Sequence, residues 1–402
     1  MAVKARFLLF FLILAFPPTG GLFAQVLEEG NPEDLGFNVE KLNRIEPVIL
    51  QAMEDKEIPG AVVLVARKGK VVYRKVFGIR SLQPEKEALT FDTIFDMASV
   101  TKVMATSCSI MILVEEGKIS LNDPLSKYIP AFGNRGKQNI TIQQMLTHYS
   151  GLRPDLDLDF EWEGYEEAIK LACRERPDAI PGEEFIYSDI NFFMLGELVR
   201  VVTGKTLDQF AKERIFEPLG LKDTGYLPDP SLKARIAPTE KRDGKMLRGE
   251  VHDPTAFRMG GVAGHAGLFS TASDTLAWAQ MILQGGLYGK TRILSPMSVL
   301  KMTTPQTPYG KEDWRGLGFD IETRFSTNRG DLFPVGSFGH TGFTGTSVWI
   351  DPFSETVLVL FSSRLYATRE GTAVFLRRKV ASIVAAAIED MPLDRDHYYY
   401  RY

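Results

Sequence analysis

Ser99 and Lys102 stand three residues apart in Ser99-Val100-Thr101-Lys102. That step lets an alcohol and an amine meet if a helix carries both. A serine hydroxyl is a weak nucleophile until a neighbouring base takes its proton. Lys102 can take it only when neutral, a form favoured by burial beside another cation or base. Two further segments follow along the chain, Tyr187-Ser188-Asp189 and His340-Thr341-Gly342. A tyrosine beside a lysine can share or lose its proton and act as a general base. Asp189 is either a helix cap or a polar group for a substrate. Glycines around His340 allow close approach of a ligand backbone. No single segment suffices. A Ser-x-x-Lys tetrad arises by chance about once in a chain of this length. Ser298-Val299-Leu300-Lys301 is such a tetrad, behind Ser295-Pro296, which read as a helix cap and first helical position.

The elements that must position these groups are legible around them. Val103, Met104, Ile110, Met111, Leu113 and Val114 keep one apolar face to about residue 116, which puts Ser99 at the start of a long helix. A helix start leaves backbone N–H groups unpaired, so negative charge is favoured there. Tyr187 falls on a loop before an apolar helix that includes Phe192, Phe193, Leu195 and Leu198. The His340 segment reads as a Gly-rich turn opening a strand at 346–350.

Apolar residues at helical spacing mark 38–56. The β-branched run 61–66, the turn Lys68-Gly69-Lys70 and the return 71–77 predict a hairpin. Runs at 346–350 and 357–361 predict two more strands, and 372–389 a helix. Between the ends, about 99–330 is mostly helical in pattern. The expectation is an α/β (α+β) fold, with an antiparallel sheet built from both chain ends and flanked by helices. An α/β lobe of about 30–98 plus 331–390 would carry an inserted helical lobe of about 99–330. The site would lie in the crevice between them.

The chain has 402 residues, 44% of them apolar, enough for a large core. Its net charge of −4, without long runs of one sign, excludes a nucleic-acid footprint and a polybasic membrane patch. Lys4 and Arg6, the apolar run 7–16, Pro17-Pro18 and the small residues of 20–24 read as a signal peptide over 1–24. The run is too short to span a bilayer, and no lipoprotein cysteine follows it. Residues 25–402 would form the mature domain, periplasmic or secreted, with no stable membrane span. Cys108 and Cys173 lie on apolar, helix-like stretches and are expected to be free and buried rather than bridged. His252, Asp253 and His265 are close enough in sequence for a metal site, but match no strong zinc pattern. A hydrogen-bonded loop clasp is expected there. His397 lies in an aromatic tail with Tyr398, Tyr399, Tyr400 and Tyr402 that suggests no function.

In their order, the three segments resemble those of the serine β-lactamase and penicillin-binding protein superfamily. The similarity covers roughly 35–390. It extends to Leu146-Thr147-His148-Tyr149-Ser150-Gly151-Leu152, Gly267-Leu268-Phe269-Ser270-Thr271-Ala272 and Phe361-Ser362-Ser363-Arg364. Val251-His252-Asp253 and the glycine-rich 260–267 point to the low-molecular-mass D-alanyl-D-alanine carboxypeptidase-like subgroup. The resemblance implies a β-lactamase/transpeptidase-like fold. It implies Ser99 as acylated nucleophile, Lys102 as its proton partner and Tyr187 as base. The amides of Ser99 and Phe343 would form the oxyanion hole, and Asp189, His340, Thr341 and Gly342 would contact substrate. No metal or organic cofactor is implied, and the partner is a small-molecule or peptide substrate. Two positions depart from the pattern. His340 stands where β-lactamases carry lysine, so its attraction for a substrate carboxylate would titrate near neutrality. Asp189 stands where the family usually has asparagine. Both favour a peptidase or esterase over a strong β-lactamase. Two rivals remain: a penicillin-binding receptor that acylates with little turnover, and a metal-dependent hydrolase built on His252, Asp253 and His265.

Overall fold

The computed structural model describes residues 27–83, 85–367 and 372–392. The expected signal segment and the aromatic tail with His397 lie outside them. After helix α1 (Ile45–Glu54) come strands β1 (Gly60–Arg67) and β2 (Lys70–Ser81), then the short β3 (Glu87–Ala88) and β4 (Phe95–Asp96). The segment holding Ser99 follows. The helical region contains α2 (Cys108–Glu115), α3 (Tyr165–Arg174), α4 (Asp189–Thr203) and α5 (Ala272–Leu283), with short strands β5 (Gly225–Tyr226) and β6 (Leu268–Ser270). The chain returns to the sheet through β7 (Trp314–Arg315), β8 (Asp320–Glu322), β9 (Phe338–Thr341), β10 (Ser347–Asp351) and β11 (Thr356–Phe361), and closes with α6 (Val374–Ala387).

The main sheet runs β7-β8-β9-β10-β11-β1-β2-β3, with antiparallel pairing throughout. Strands from the two chain ends meet at β11 and β1, where Leu64 pairs with Val359. All residues of β1 are buried. Their alternation explains the unbroken apolar run: Ala61, Val63 and Val65 pack with Ile45 and Ile49 of α1 and Val380 and Val384 of α6. Val62, Leu64 and Ala66 face the larger core shared with α5 and the helical region. A strand covered on both faces needs apolar side chains at every position.

The structure departs from the sequence-based expectation in two places. β7 and β8 belong to the main sheet, so the sheet begins upstream of the boundary expected near 330. His340 and Thr341 lie within strand β9, which pairs with β10; the expected turn comes after them. Gly339 and His340 interrupt the strand signal of Phe338 and Thr341, and the strand forms because β10 offers it an edge. A small second sheet, β4-β6-β5, ties the segment before Ser99 to the glycine-rich region before 268. Cys108 and Cys173 are both free and buried.

Candidate active site

The approach to Ser99 is built by side chains that anchor residues 96–98. Asp96 Oδ1 accepts the Ala98 N–H at 2.8 Å and Oδ2 accepts the His252 N–H at 2.7 Å. Ala98 sits in the left-handed region at φ 44°. That is an uncommon conformation for a residue with a side chain, and such strain persists where surroundings over-determine it. Ser99 then lies in a 3-10 turn, Ala98–Val100, and Lys102 opens a π-helical stretch, Lys102–Ser107, that leads into α2. The expected long helix is therefore present in three windings. Single π turns inside helices often mark functional positions.

Lys102 is completely buried, and its Nζ donates to Ser99 Oγ at 2.9 Å. Nζ also donates to the His265 carbonyl at 3.2 Å and lies 2.6 Å from Asp189 Oδ1. It stands 4.8 Å from the Tyr187 ring centre and 5.7 Å from that of Phe192. Burial disfavours the lysine's charge. Asp189 and then Tyr187, each acting by charge and hydrogen bond, outweigh that effect, and the pKa of Lys102 is raised. This corrects the expectation of a neutral resting lysine: no cation beside it lowers its pKa enough, and a carboxylate pairs with it instead. Asp189, expected to orient a substrate amide, is turned toward Lys102. It is the first residue of α4, with Ser188 at the cap position.

Tyr187 is positioned by a residue whose role sequence reasoning missed. His148 stacks on the Tyr187 ring at 4.3 Å between centres and 25° between planes. Its Nδ1 accepts the Ser188 N–H at 3.0 Å, and its carbonyl accepts the Ile186 N–H at 3.0 Å. Ser188 Oγ donates to the Arg153 carbonyl at 2.6 Å. Burial first, then the charges of Arg315 and Lys102, hold His148 well below the usual histidine range. An uncharged ring is what an Nδ1 acceptor requires. The only sequence signal was the placement of His148 inside the segment 146–152.

Strand β9 brings the third segment alongside. Thr346 Oγ1 donates to the Met97 carbonyl at 3.1 Å and Thr344 Oγ1 to that of Asp96 at 2.7 Å. A Cβ on Gly342 would fall 2.5 Å from the Met97 carbonyl oxygen, so only glycine lets this turn touch the Ser99 approach. His340 is buried, and its Nδ1 lies 2.8 Å from the Thr341 carbonyl. Its Nε2 has no partner among the described residues. Burial first, then Arg315 and Lys102, hold its pKa well below the ordinary value. The expected cation titrating near neutrality is thus a neutral imidazole, because burial first, and then two nearby cations, disfavour its charge. Phe343 is exposed, with its ring stacked on His252 at 5.7 Å. Among the described residues its amide donates to no partner.

Ser99, Tyr187, His340, Thr341, Gly342 and Phe343 all line one cavity of about 400 Å³. Three arginines that sequence reasoning did not place in the site share its wall: Arg315, Arg364 and Arg377. Arg315 pairs with buried Asp320 at 3.2 Å. Arg364 Nε donates to the Phe343 carbonyl at 2.5 Å. Arg377 Nη2 donates to the carbonyls of Gly342 and Thr346 at 3.0 and 2.9 Å. Burial, and then the charge of Arg364, push its pKa down to about 9. Arg364 carried a sequence signal in 361–364, whereas Arg315 and Arg377 reach the cavity only through tertiary packing.

The three-residue cluster considered for a metal does not assemble. His252 Nε2 lies 2.7 Å from Glu240 Oε1, while His265 Nε2 lies 2.8 Å from Asp253 Oδ1. Asp253 also caps the short helix Pro254–Arg258 through the Ala256 N–H at 2.8 Å. Burial opposes the charge of both members of the second pair. Their mutual attraction outweighs it, raising the pKa of His265 and lowering that of Asp253. Asp189 approaches this pair, with one ligand atom from each of the three residues within 4.8 Å. Lys102 and His265 against Asp189 and Asp253 balance the charge of the cluster. Close contact of the glycine-rich loop makes this possible: a Cβ on Gly264 would fall 2.0 Å from the Phe192 carbonyl oxygen.

Comparison with known proteins places this geometry in context. The family model described as Beta-lactamase matches residues 45–382. A relative from Escherichia coli strain K12, named "Putative D-alanyl-D-alanine carboxypeptidase", is 34% identical over 379 residues, covering 84% of this chain and 86% of its own. Among solved structures, EstCE1, described as a hydrolase with promiscuous acyltransferase activity, superposes with a TM-score of 0.71 at 22% identity, covering 86% of this chain and 99% of its own. A penicillin-binding protein homologue from Caulobacter crescentus gives a TM-score of 0.70 at 21% identity, covering 87% and 98%. The two structures establish a shared fold.

Proposed function

We propose that this chain, which belongs to the Beta-lactamase family, is an exported serine hydrolase that forms an acyl-enzyme on Ser99 and acts as a D-alanyl-D-alanine carboxypeptidase on cell-wall peptides. The observation that carries the reading is the 2.9 Å contact of Lys102 Nζ with Ser99 Oγ, at a cavity that Tyr187 also lines. Ser99 Oγ attacks the carbonyl carbon while Tyr187, acting as the phenolate, takes its proton. Lys102, charged beside Asp189, favours the negative charge that develops on the attacking oxygen. The amides of Ser99 and Phe343 receive the oxyanion. Tyr187 returns the proton to the leaving amine as the carbon–nitrogen bond breaks. Water, deprotonated by Tyr187, then attacks the ester; the acid departs and Ser99 regains its proton.

The substrate class is supported by the charge of the cavity wall. Arg364 and Arg377 sit next to each other against the 342–346 turn, and burial disfavours the charge of Arg377. A substrate carboxylate beside them would relieve that cost. A peptide ending in D-alanine offers such a carboxylate on its leaving group. Neutral His340 weakens the case for a β-lactamase, and small esters stay a second reading because the same groups would cleave them. Export is supported by the basic, apolar and small-residue order of 1–24. The test is a panel of a D-Ala-D-Ala peptide, a cephalosporin and a short-chain aryl ester. Turnover of the peptide above the other two is expected, and turnover of the ester alone would replace the peptidase reading.

A further inference from the structure

A second cavity is lined by arginines. Arg135, Arg153, Arg174 and Arg176 open onto one cavity of about 600 Å³, with Glu175 and Asp178 as its carboxylates. Three segments make it. The turn 134–137 closes with the Lys137 N–H on the Asn134 carbonyl at 3.0 Å, and puts Arg135 at the left-handed position, φ 51°. Segment 151–154 is tied to the end of α3 by the Asp178 N–H on the Gly151 carbonyl at 2.8 Å. The end of α3 supplies Arg174, and the segment after it Arg176.

Part of this charge has a structural use. The last carbonyls of a helix attract cations. Arg135 Nη1 donates to the Arg174 carbonyl at 2.7 Å, and buried Lys137 Nζ to those of Cys173 and Glu175 at 3.1 and 2.5 Å. Capping accounts for Lys137 and for one nitrogen of Arg135. It does not account for Arg176, which lies beyond the helix with its side chain exposed; Arg174 stands in the last turn of α3, where a cation is favoured, but its exposed guanidinium makes no hydrogen bond among the described residues. Arg153 reaches Glu175 only at 4.0 Å. Among the described residues, Arg135, Arg174 and Arg176 have no carboxylate within 4.0 Å. Four guanidinium groups thus crowd one cavity in a chain of net charge −4. Glu175 and Asp178 offset part of this charge, and the excess that remains favours an anion between the groups.

We propose that this cavity binds a multiply charged, phosphate-bearing anion. Guanidinium forks match phosphate oxygens two at a time, and four forks around one cavity suit more than one phosphate. The site is separate from the cleft, although segment 153–154 joins them: its carbonyls accept Ser188 Oγ–H and the Asp189 N–H, each at 2.6 Å.

The test is calorimetric titration of the full chain at fixed ionic strength with two probes, sodium pyrophosphate and poly(glycerol phosphate). Saturable binding of one probe per chain is expected, weakened about tenfold or more in Arg174→Ala/Arg176→Ala, with an unchanged melting temperature. Tighter binding of pyrophosphate assigns a free anion, and tighter binding of the polymer assigns a phosphodiester chain. Absence of saturable binding to both probes overturns the proposal, as does equal affinity in the double variant. Should that variant not fold, Arg176→Ala carries the same test, because Arg176 makes no hydrogen bond among the described residues.

Discussion

Lys102 Nζ and Asp189 Oδ1 are 2.6 Å apart, with the lysine side chain fully buried and the carboxylate about one-fifth exposed. The pair holds the amine beside Ser99 as an ammonium and takes from it the role of resting base. The pKa of Lys102 is raised, so the pair's stabilisation is fully present below the lysine's unfolded pKa, about 10.4. It is lost as pH rises through the higher folded pKa. In Asp189→Asn the amine should titrate lower, and the alkaline limb of kcat/KM should move to lower pH. Loss of the charge-assisted contact should cost about 2 kcal/mol in urea denaturation. An alkaline limb at the parental pH would show that Asp189 does not set the charge of Lys102.

His340 should remain neutral through the physiological range, because burial and then Arg315 and Lys102 hold its pKa well below the ordinary value. A depressed folded pKa contributes stability that is present above the unfolded pKa, about 6.5. That stability is lost as pH falls toward the folded value. The melting-temperature difference between the parent and His340→Gln should therefore shrink from pH 7 to pH 5. The imidazole carbon resonance of His340 should stay flat across that interval. A titration midpoint near 6.5 would return His340 to the role of a pH-dependent cation.

Asp253→Asn should uncouple the loop from the site. The substitution weakens the buried pair with His265, whose carbonyl accepts Lys102 Nζ. We expect a loss of about 3 kcal/mol in stability. We also expect a fall in kcat with little change in KM, since the carboxylate is not on the cavity wall. A rise in KM at constant kcat would assign Asp253 to substrate binding.

Gly342→Ala tests the close approach of the third segment to the first. The new methyl would meet the Met97 carbonyl oxygen at 2.5 Å and Thr346 Oγ1 at 2.2 Å. Pushing the turn off 96–97 should cost about 1–3 kcal/mol. It should also lower kcat/KM about 100-fold through misplacement of the groups around Ser99. Parental kinetics in this variant would show that the turn is free to move.

The legible parts of this chain were those with a local signal. β1 announced itself because burial on both faces demands an unbroken apolar run, and the Ser99–Lys102 pair because three residues of helix bring the two side chains together. The charge of Lys102 was misread because it depends on Asp189, 87 positions away, and on which way that carboxylate turns. The neutrality of His340 is equally non-local: it follows from burial and then from Arg315 and Lys102, all of which arise only when the sheet closes. Strand β9 reads as a turn because Gly339 within it and Gly342 after it hide a pairing that β10 imposes. Arg377 carried no signal at all, since a helix pattern at 374–387 says nothing of which residue faces the 342–346 turn.

The most direct test of the account is intact-mass measurement after brief exposure to the D-Ala-D-Ala peptide, the cephalosporin and the aryl ester, with peptide mapping of any adduct. A mass increase equal to the acyl group is expected, located on Ser99 and absent from Ser99→Ala. An adduct on another residue, or one retained in Ser99→Ala, would contradict it.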